Sequence, residues 1–205
     1  MSSKLVYILR HGQTDQNIKR VVQGRSVNSD LNETGIKQAQ QFYSNYQHIP
    51  FEILYSSSLK RSYQTIQYFE NETRKIIQDD RLDEICWGEH EGKGGEPDLM
   101  EKYYKIVNDW SHGQYNSRPV DGESAQELLD RCKSFMSDLA KLNFDHALVC
   151  THGRTLRALI CFLKSIPLSN MEKILQINTV LYIAQFRSDH WQLLHEGLTS
   201  HLYKD

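Results

Sequence analysis

The run from Leu5 to Gly12 reads L-V-Y-I-L-R-H-G, five apolar residues that stop abruptly at Arg10, His11 and Gly12. An apolar run of that length, rich in Val, Tyr and Ile, suits a strand buried on both faces of a parallel sheet. Open α/β sheets bind ligands just beyond the carboxyl ends of their strands, where Arg10 and His11 are expected to lie. A fixed cation beside an imidazole suits an anionic substrate and a nucleophile that is uncharged near neutral pH. A surface Arg beside an idle strand-end His is the plainer alternative for this octapeptide taken alone.

The arrangement recurs at Ala147 to Arg154, which reads A-L-V-C-T-H-G-R. Behind it Leu156, Leu159, Ile160 and Leu163 keep helical spacing. His152 and Gly153 are therefore expected at a strand-to-helix turn, where free N–H groups and the positive end of the helix dipole favour an anion. Two strand-end His-Gly pairs that can meet at one sheet edge constrain the fold far more than either alone.

Strand and helix signals alternate along the chain, which argues for an α/β fold: three layers, with a mostly parallel central sheet between helices. Asn32 is expected to cap a helix with Ile36, Ala39, Gln40 and Tyr43 on its inner face, and another helix is expected over about 59–69. Ile76 and Ile77 mark a short strand. Ser124 and Glu127 form a capping box before a helix that buries Leu128, Cys132, Phe135, Met136 and Leu139. Val180–Phe186 and Trp191–His195 read as a hairpin turning at Ser188-Asp189. The length of 205 residues fits a single domain over 1–205. Between Gly92 and Glu123 a flexible G-K-G-G-E-P leads into an amphipathic helix and a polar loop. A helical cap inserted at about 93–122 is expected there, with a crossover helix as the plainer reading.

The net charge of −2 supplies no general field for nucleic acid or acidic membranes, so an anion site must be local. No run of 18 apolar residues is present, and M-S-S-K leads directly into the first strand, so a cytoplasmic protein is expected. Cys86, Cys132, Cys150 and Cys161 lack paired spacing, and three of them sit in apolar surroundings as small core residues. His11 and His152 are flanked by Arg rather than carboxylates, and no metal site is expected.

Two further segments complete the pattern: S-S-S-L-K-R-S-Y-Q-T at Ser56–Thr65 and L-D-E-I-C-W-G-E-H-E-G at Leu82–Gly92. Together with R-H-G-x-T and T-H-G, in this order, they make a chain that resembles the histidine phosphatase superfamily, also called phosphoglycerate mutase-like, from about Leu5 to His195. The resemblance implies that His11 is a nucleophile forming a phosphohistidine. Arg10, Arg61 and His152 would complete a phosphate pocket without metal or other cofactor, and Gly153 would border it. Asn17 and Gln23 match positions that touch phosphate. Glu84 would be the general acid, its pKa raised by Leu82, Ile85 and Trp87, with Asp83 as its rival. Glu89 and Glu91 would hold the loop. Tyr103, Tyr104, Trp110 and Tyr115 would line an aromatic entrance or form cap core.

The chain departs from the family at V-N-S-D-L-N-E-T-G, which lacks a common proline, at Val21 and at Ser62. None of these removes a catalytic group. The middle segment with Trp110, Pro119, Gly122, Glu123 and Ser124 resembles the phosphatase branch. The expected activity is metal-independent hydrolysis of small phosphate monoesters. Phosphoglycerate mutase-type transfer is the alternative, and a non-catalytic phospho-ligand binder a third. The expected partner is a small-molecule ester, with no nucleic acid or membrane; a homodimer is the expected assembly.

Overall fold

The computed structural model describes residues 3–94 and 96–203. Six strands form one mixed sheet: β1 (Lys4–Arg10), β2 (Ile53–Ser56), β3 (Ile76–Gln78), β4 (His146–Thr151), β5 (Leu181–Arg187) and β6 (His190–Leu198), in the order β3-β2-β4-β1-β5-β6. β3, β2, β4 and β1 run parallel, while β5 and β6 are antiparallel additions beside β1. β1 and β4 are direct neighbours, with Arg10 opposite Thr151. The two His-Gly pairs thus leave the same sheet edge side by side.

The helices are α1 (Asp15–Ile18), α2 (Glu33–Tyr46), α3 (Lys60–Ile66), α4 (Pro97–Ser111), α5 (Ala125–Lys141) and α6 (Gly153–Leu163). Alternate residues of the central strands face opposite layers. Val6, Ile8, Ala147 and Val149 pack with Leu128 and Phe135 of α5 and Leu156 and Leu159 of α6. Tyr7, Leu9, Leu148 and Cys150 pack with Phe42 of α2 and Ile66 of α3. Burial on both faces is what the unbroken apolar runs require. Among the described residues, no helix is long and apolar enough to cross a membrane.

The expected capping box at Ser124 and Glu127 forms, and the five expected apolar positions of α5 are buried. The hairpin turns at Ser188 and Asp189, both with positive φ, at 52° and 59°. Such a turn matches the twist of the flanking strands.

The inner face of α2 differs from the expectation. Gly35, Ala39 and Phe42 are buried, while Ile36 is 43% exposed. The cause is at the helix start, where a Cβ on Gly35 would lie 2.1 Å from the Gln13 carbonyl oxygen. This close approach fixes the rotation of α2 and turns Phe42 inward onto Phe69 and Tyr46. A Cβ on Gly12 would likewise meet the Gly35 carbonyl oxygen at 2.7 Å. The segment after β1 and the first turn of α2 therefore hold each other in place.

Gly35→Ala must push α2 and the 12–14 segment apart. The expected cost is about 1–3 kcal/mol, as for other overpacked contacts. A denaturant midpoint unchanged from wild type would show that the contact does not set the register.

Candidate active site

The sheet edge beyond β1 and β4 opens into a cavity of about 460 Å³, within the ordinary range for a small-molecule site. Arg10, His11, Asn17, Gln23, Arg61 and Glu84 all line it. His152 and Gly153 do not; they lie just behind, with the His11 and His152 rings 5.0 Å apart between centroids.

His11 is buried, and its backbone N–H donates to the Thr151 carbonyl at 2.9 Å, extending the β1–β4 ladder by one residue. Its carbonyl accepts from Asn178 Nδ2 at 3.0 Å. Gly12 N–H donates to Thr65 Oγ1 at 2.9 Å. The ring Nδ1 lies 2.7 Å from the Gly12 carbonyl oxygen. A carbonyl only accepts, so Nδ1 carries the proton and Nε2 keeps its lone pair. Burial is the main reason the ring is held well below the usual imidazole pKa. The positive charges of Arg61 and Arg10 act in the same direction but rank after it.

His152 is occupied on both sides. Arg61 Nε–H donates to its Nδ1 at 3.1 Å. Its Nε2 therefore carries the proton, 2.6 Å from Ser57 Oγ. Burial, then Arg61 and His11, also hold this ring well below the usual value. Both ring nitrogens of His152 are engaged within the protein, and the ring braces Arg61. Ser57 is the group that the sequence reading missed. It carries no periodic or motif signal beyond its place in the S-S-S run.

Arg61 is further fixed by donating to the carbonyls of Val27 at 2.7 Å and Gly24 at 3.0 Å. Arg10 Nη1 donates to the Gln176 carbonyl, whereas its buried Nε has no partner among the described residues. Burial pushes both guanidiniums down to about 10, opposed by the charge of Glu84. Both are protonated at neutral pH. Ser62, a departure from the family pattern, ties β2 to β4: Oγ donates to the Cys150 carbonyl at 2.6 Å and accepts from Ser57 N–H at 3.2 Å.

The anion that the N-terminus of α6 receives is the Glu84 carboxylate. The backbone N–H groups of Arg154 and Thr155 donate to the Glu84 carboxylate at 3.1–3.2 Å. The positive end of the helix dipole holds this carboxylate at the cavity wall. Gly153 is not among the cavity-lining residues, and a Cβ there would meet Gln176 Oε1 at 2.2 Å and lie 3.6 Å from Arg10 Nε. Asp83, the rival acid, turns the other way. Its carboxylate accepts from Ser58 N–H and Oγ at 2.8 Å and lies 3.7 Å from Arg25 Nε. Asp83 is not among the cavity-lining residues.

Asn17 and Gln23 are positioned through their side-chain oxygens. Asn17 Oδ1 accepts from Thr14 N–H at 3.1 Å and Asn178 Nδ2 at 3.2 Å. Gln23 Oε1 accepts from Ser29 Oγ at 2.7 Å. This leaves both amide NH₂ groups without a protein partner among the described residues. Glu91 holds the loop, as expected, by accepting from the backbone of Trp87, Arg25 and Ser26. The aromatic set divides. Tyr103 and Tyr104 line the cavity, whereas Trp110 is buried and donates to the Ser117 carbonyl at 2.7 Å. Tyr115 packs against the core. Among the described residues, no three His, Cys, Asp or Glu side chains gather as a metal site requires.

A cavity lined by the guanidiniums of Arg10 and Arg61, the uncharged His11 ring and the Glu84 carboxylate, with His152 just behind, suits an oxyanion. The chain belongs to the histidine phosphatase superfamily (branch 1), whose family model matches residues 6–199. It is an enzyme of that superfamily. It is 30% identical over 164 residues to phosphoserine phosphatase 1 of Hydrogenobacter thermophilus, covering 79% of this chain and 77% of that one. It is 29% identical over 210 residues to phosphoglycerate mutase-like protein 4 of Arabidopsis thaliana, covering 96% and 86%. The solved structure of Bacillus stearothermophilus YhfR superposes with a TM-score of 0.85 at 25% identity, covering 97% and 99%.

The depressed histidines make a testable pH dependence. The unfolded chain binds protons near pH 6.5, while the folded rings stay neutral well below it. The unfolded state then holds more protons, so stability falls as pH drops below about 6.5. In NMR spectra the His11 and His152 ring signals are expected to stay in their neutral positions at pH 6.5, where a free imidazole is half protonated. Titration of either ring near pH 6.5 would contradict the geometry.

Proposed function

We propose that this protein is a metal-independent phosphomonoester hydrolase that works through a phosphohistidine at His11 Nε2, on small phosphorylated metabolites. The single observation that carries this reading is the His11 tautomer. A buried ring fixed by Nδ1–H on the Gly12 carbonyl presents one lone pair to a cavity walled by Arg10 and Arg61. The phosphoserine phosphatase relative supports hydrolysis as the outcome.

In the first step Nε2 attacks phosphorus and the P–O ester bond breaks. Protonated Glu84 gives its proton to the leaving oxygen, so the alcohol departs neutral. The ring becomes a phosphorylated imidazolium whose Nδ1–H stays on the Gly12 carbonyl. Arg10 and Arg61 match the equatorial oxygens, with the Asn17 and Gln23 amides as further donors. In the second step Glu84 takes a proton from water, the oxygen attacks phosphorus and the P–N bond breaks. Phosphate leaves, and His11 and Glu84 return to their starting states. His152 takes part by holding Arg61. Within this single domain, residues 93–122 act as a cap. α4 lays Met100, Tyr103, Tyr104 and Val107 over the cavity and anchors through Trp110, whose ring lies 5.4 Å from Trp87.

His11→Ala is expected to fold and to lose at least about 10³-fold in turnover, the scale for removing a covalent nucleophile. Wild type quenched during turnover of a ³²P-labelled ester in EDTA should carry an acid-labile, base-stable label at residue 11. Loss of all turnover in EDTA, or near-normal turnover of the variant, would defeat the reading.

Glu84→Gln should slow release of a poor leaving group most. The pre-steady-state burst with an alkyl phosphate is expected to fall about 10²-fold or more, that with p-nitrophenyl phosphate far less. Equal losses would remove Glu84 as the acid.

A further inference from the structure

The two carboxyl oxygens of Glu84 have unequal surroundings. Oε1 accepts from the backbone N–H groups of Ile85 at 3.0 Å, Arg154 at 3.1 Å and Thr155 at 3.2 Å. Oε2 meets only the Arg154 N–H, at 3.2 Å, among the described residues. A proton on Oε1 would face the hydrogens of three donors, so the proton of the acid belongs on Oε2. One more donor comes from a side chain. Thr155 is fully buried, and its Oγ1 lies 2.7 Å from the Asp83 carbonyl oxygen and 3.2 Å from Glu84 Oε1. A hydroxyl has one hydrogen for these two acceptors, and rotation about the Cβ–Oγ1 bond decides which receives it. Thr155 is not among the cavity-lining residues, and nothing in the phosphoryl-transfer steps uses its hydroxyl.

We propose that Glu84 delivers its proton from Oε2, and that Thr155 is the positioning residue for this step, its hydroxyl turning from the Asp83 carbonyl to Glu84 Oε1 as the proton leaves. The proposal rests on the phosphatase reading of the site.

The first argument is a change in acceptor strength. While Glu84 is protonated, Oε1 is a carbonyl oxygen already shared by three N–H groups, and the shorter contact to Asp83 takes the hydroxyl hydrogen. Proton delivery breaks the Oε2–H bond and leaves its electron pair on the carboxylate. The proton joins the ester oxygen, whose bond to phosphorus breaks. Oε1 then carries part of a negative charge, and a hydrogen bond to an ionised acceptor is roughly twice as strong as a neutral one. The hydroxyl therefore contributes most while Glu84 is losing its proton, and a contact that strengthens on the way to the transition state raises kcat. The second argument is that the change needs no heavy atom to move. Asp83 and Glu84 are consecutive, and Thr155 is fixed in the first turn of α6. Both acceptors stay within reach of a hydroxyl that turns in place, which is preorganisation. The third argument is that the backbone donors cannot substitute for it. Each N–H keeps one direction and serves both states of Glu84 alike; the hydroxyl can change partner.

The test compares Thr155→Val and Thr155→Ala, which remove the hydroxyl, with Thr155→Ser, which keeps it. Formation of the phosphohistidine is timed as a pre-steady-state burst, and its hydrolysis by chasing the ³²P-labelled enzyme with unlabelled ester. An alkyl phosphate needs the proton on its leaving oxygen. Its burst rate should fall about 10-fold in Thr155→Val and Thr155→Ala, the scale of exchanging a neutral acceptor for a charged one. Thr155→Ser should restore it. The burst with p-nitrophenyl phosphate, whose leaving group departs without a proton, should fall far less. Hydrolysis of the phosphohistidine should not slow, because Glu84 enters that step already as the carboxylate. A structural disturbance would displace Glu84 and slow both steps with both esters, and that result would overturn the proposal. So would an alkyl burst unchanged in the hydroxyl-free variants, or a Thr155→Ser variant as slow as they are, with the phosphatase reading left standing. Absence of a burst from either ester in wild type would remove that reading, and the proposal with it.

Discussion

The hydrogen bond between His11 Nδ1 and the Gly12 carbonyl is the contact on which the site depends. It fixes the tautomer, while burial and the charges of Arg61 and Arg10 keep the ring uncharged against the opposing pull of the Gly12 carbonyl. An imidazolium there would repel Arg10 and Arg61 and offer no lone pair. The fold supplies the conditions for this contact. β1 and β4 are parallel neighbours, so both histidines leave one edge together. The start of α2 abuts the 12–14 segment so closely that only glycine fits at 12 and 35.

Around that ring the protein uses its own polar groups to satisfy each other. His152 braces Arg61, Ser57 braces His152, and the N-terminus of α6 holds Glu84. Such chains preorganise charge, so little rearrangement accompanies reaction. Helix α6 does two jobs through adjacent residues. Its first turn anchors the Glu84 carboxylate, and the side chains of Arg154 and Arg157 reach outward to Glu172.

Much of this was legible in the residues, for identifiable reasons. The strand-end His-Gly pairs, the Ser124 capping box and the Ser188-Asp189 turn are local signals, and each forms as read. The rotation of α2 was not legible, because Ile36 and Phe42 fit opposite faces equally well until Gly35 meets Gln13 in space. The partner of the α6 N-terminus was not legible for a similar reason. A helix N-terminus attracts an anion, but the sequence does not say whether a substrate or a distant carboxylate such as Glu84 takes it. Glu172, Gln176 and Asn178 lie in an irregular segment without periodicity. Only the chain path brings them to Arg10, His11 and Arg157.

The claim that His11 is a covalent nucleophile has a direct stereochemical consequence. Two in-line displacements, first by His11 and then by water, each invert phosphorus and together restore its configuration. An ester made chiral at phosphorus with sulfur and oxygen isotopes, hydrolysed in isotopically labelled water, reports the outcome in the released thiophosphate. The account predicts net retention. Net inversion would mean that water attacks the ester directly, and His11 would then be no nucleophile.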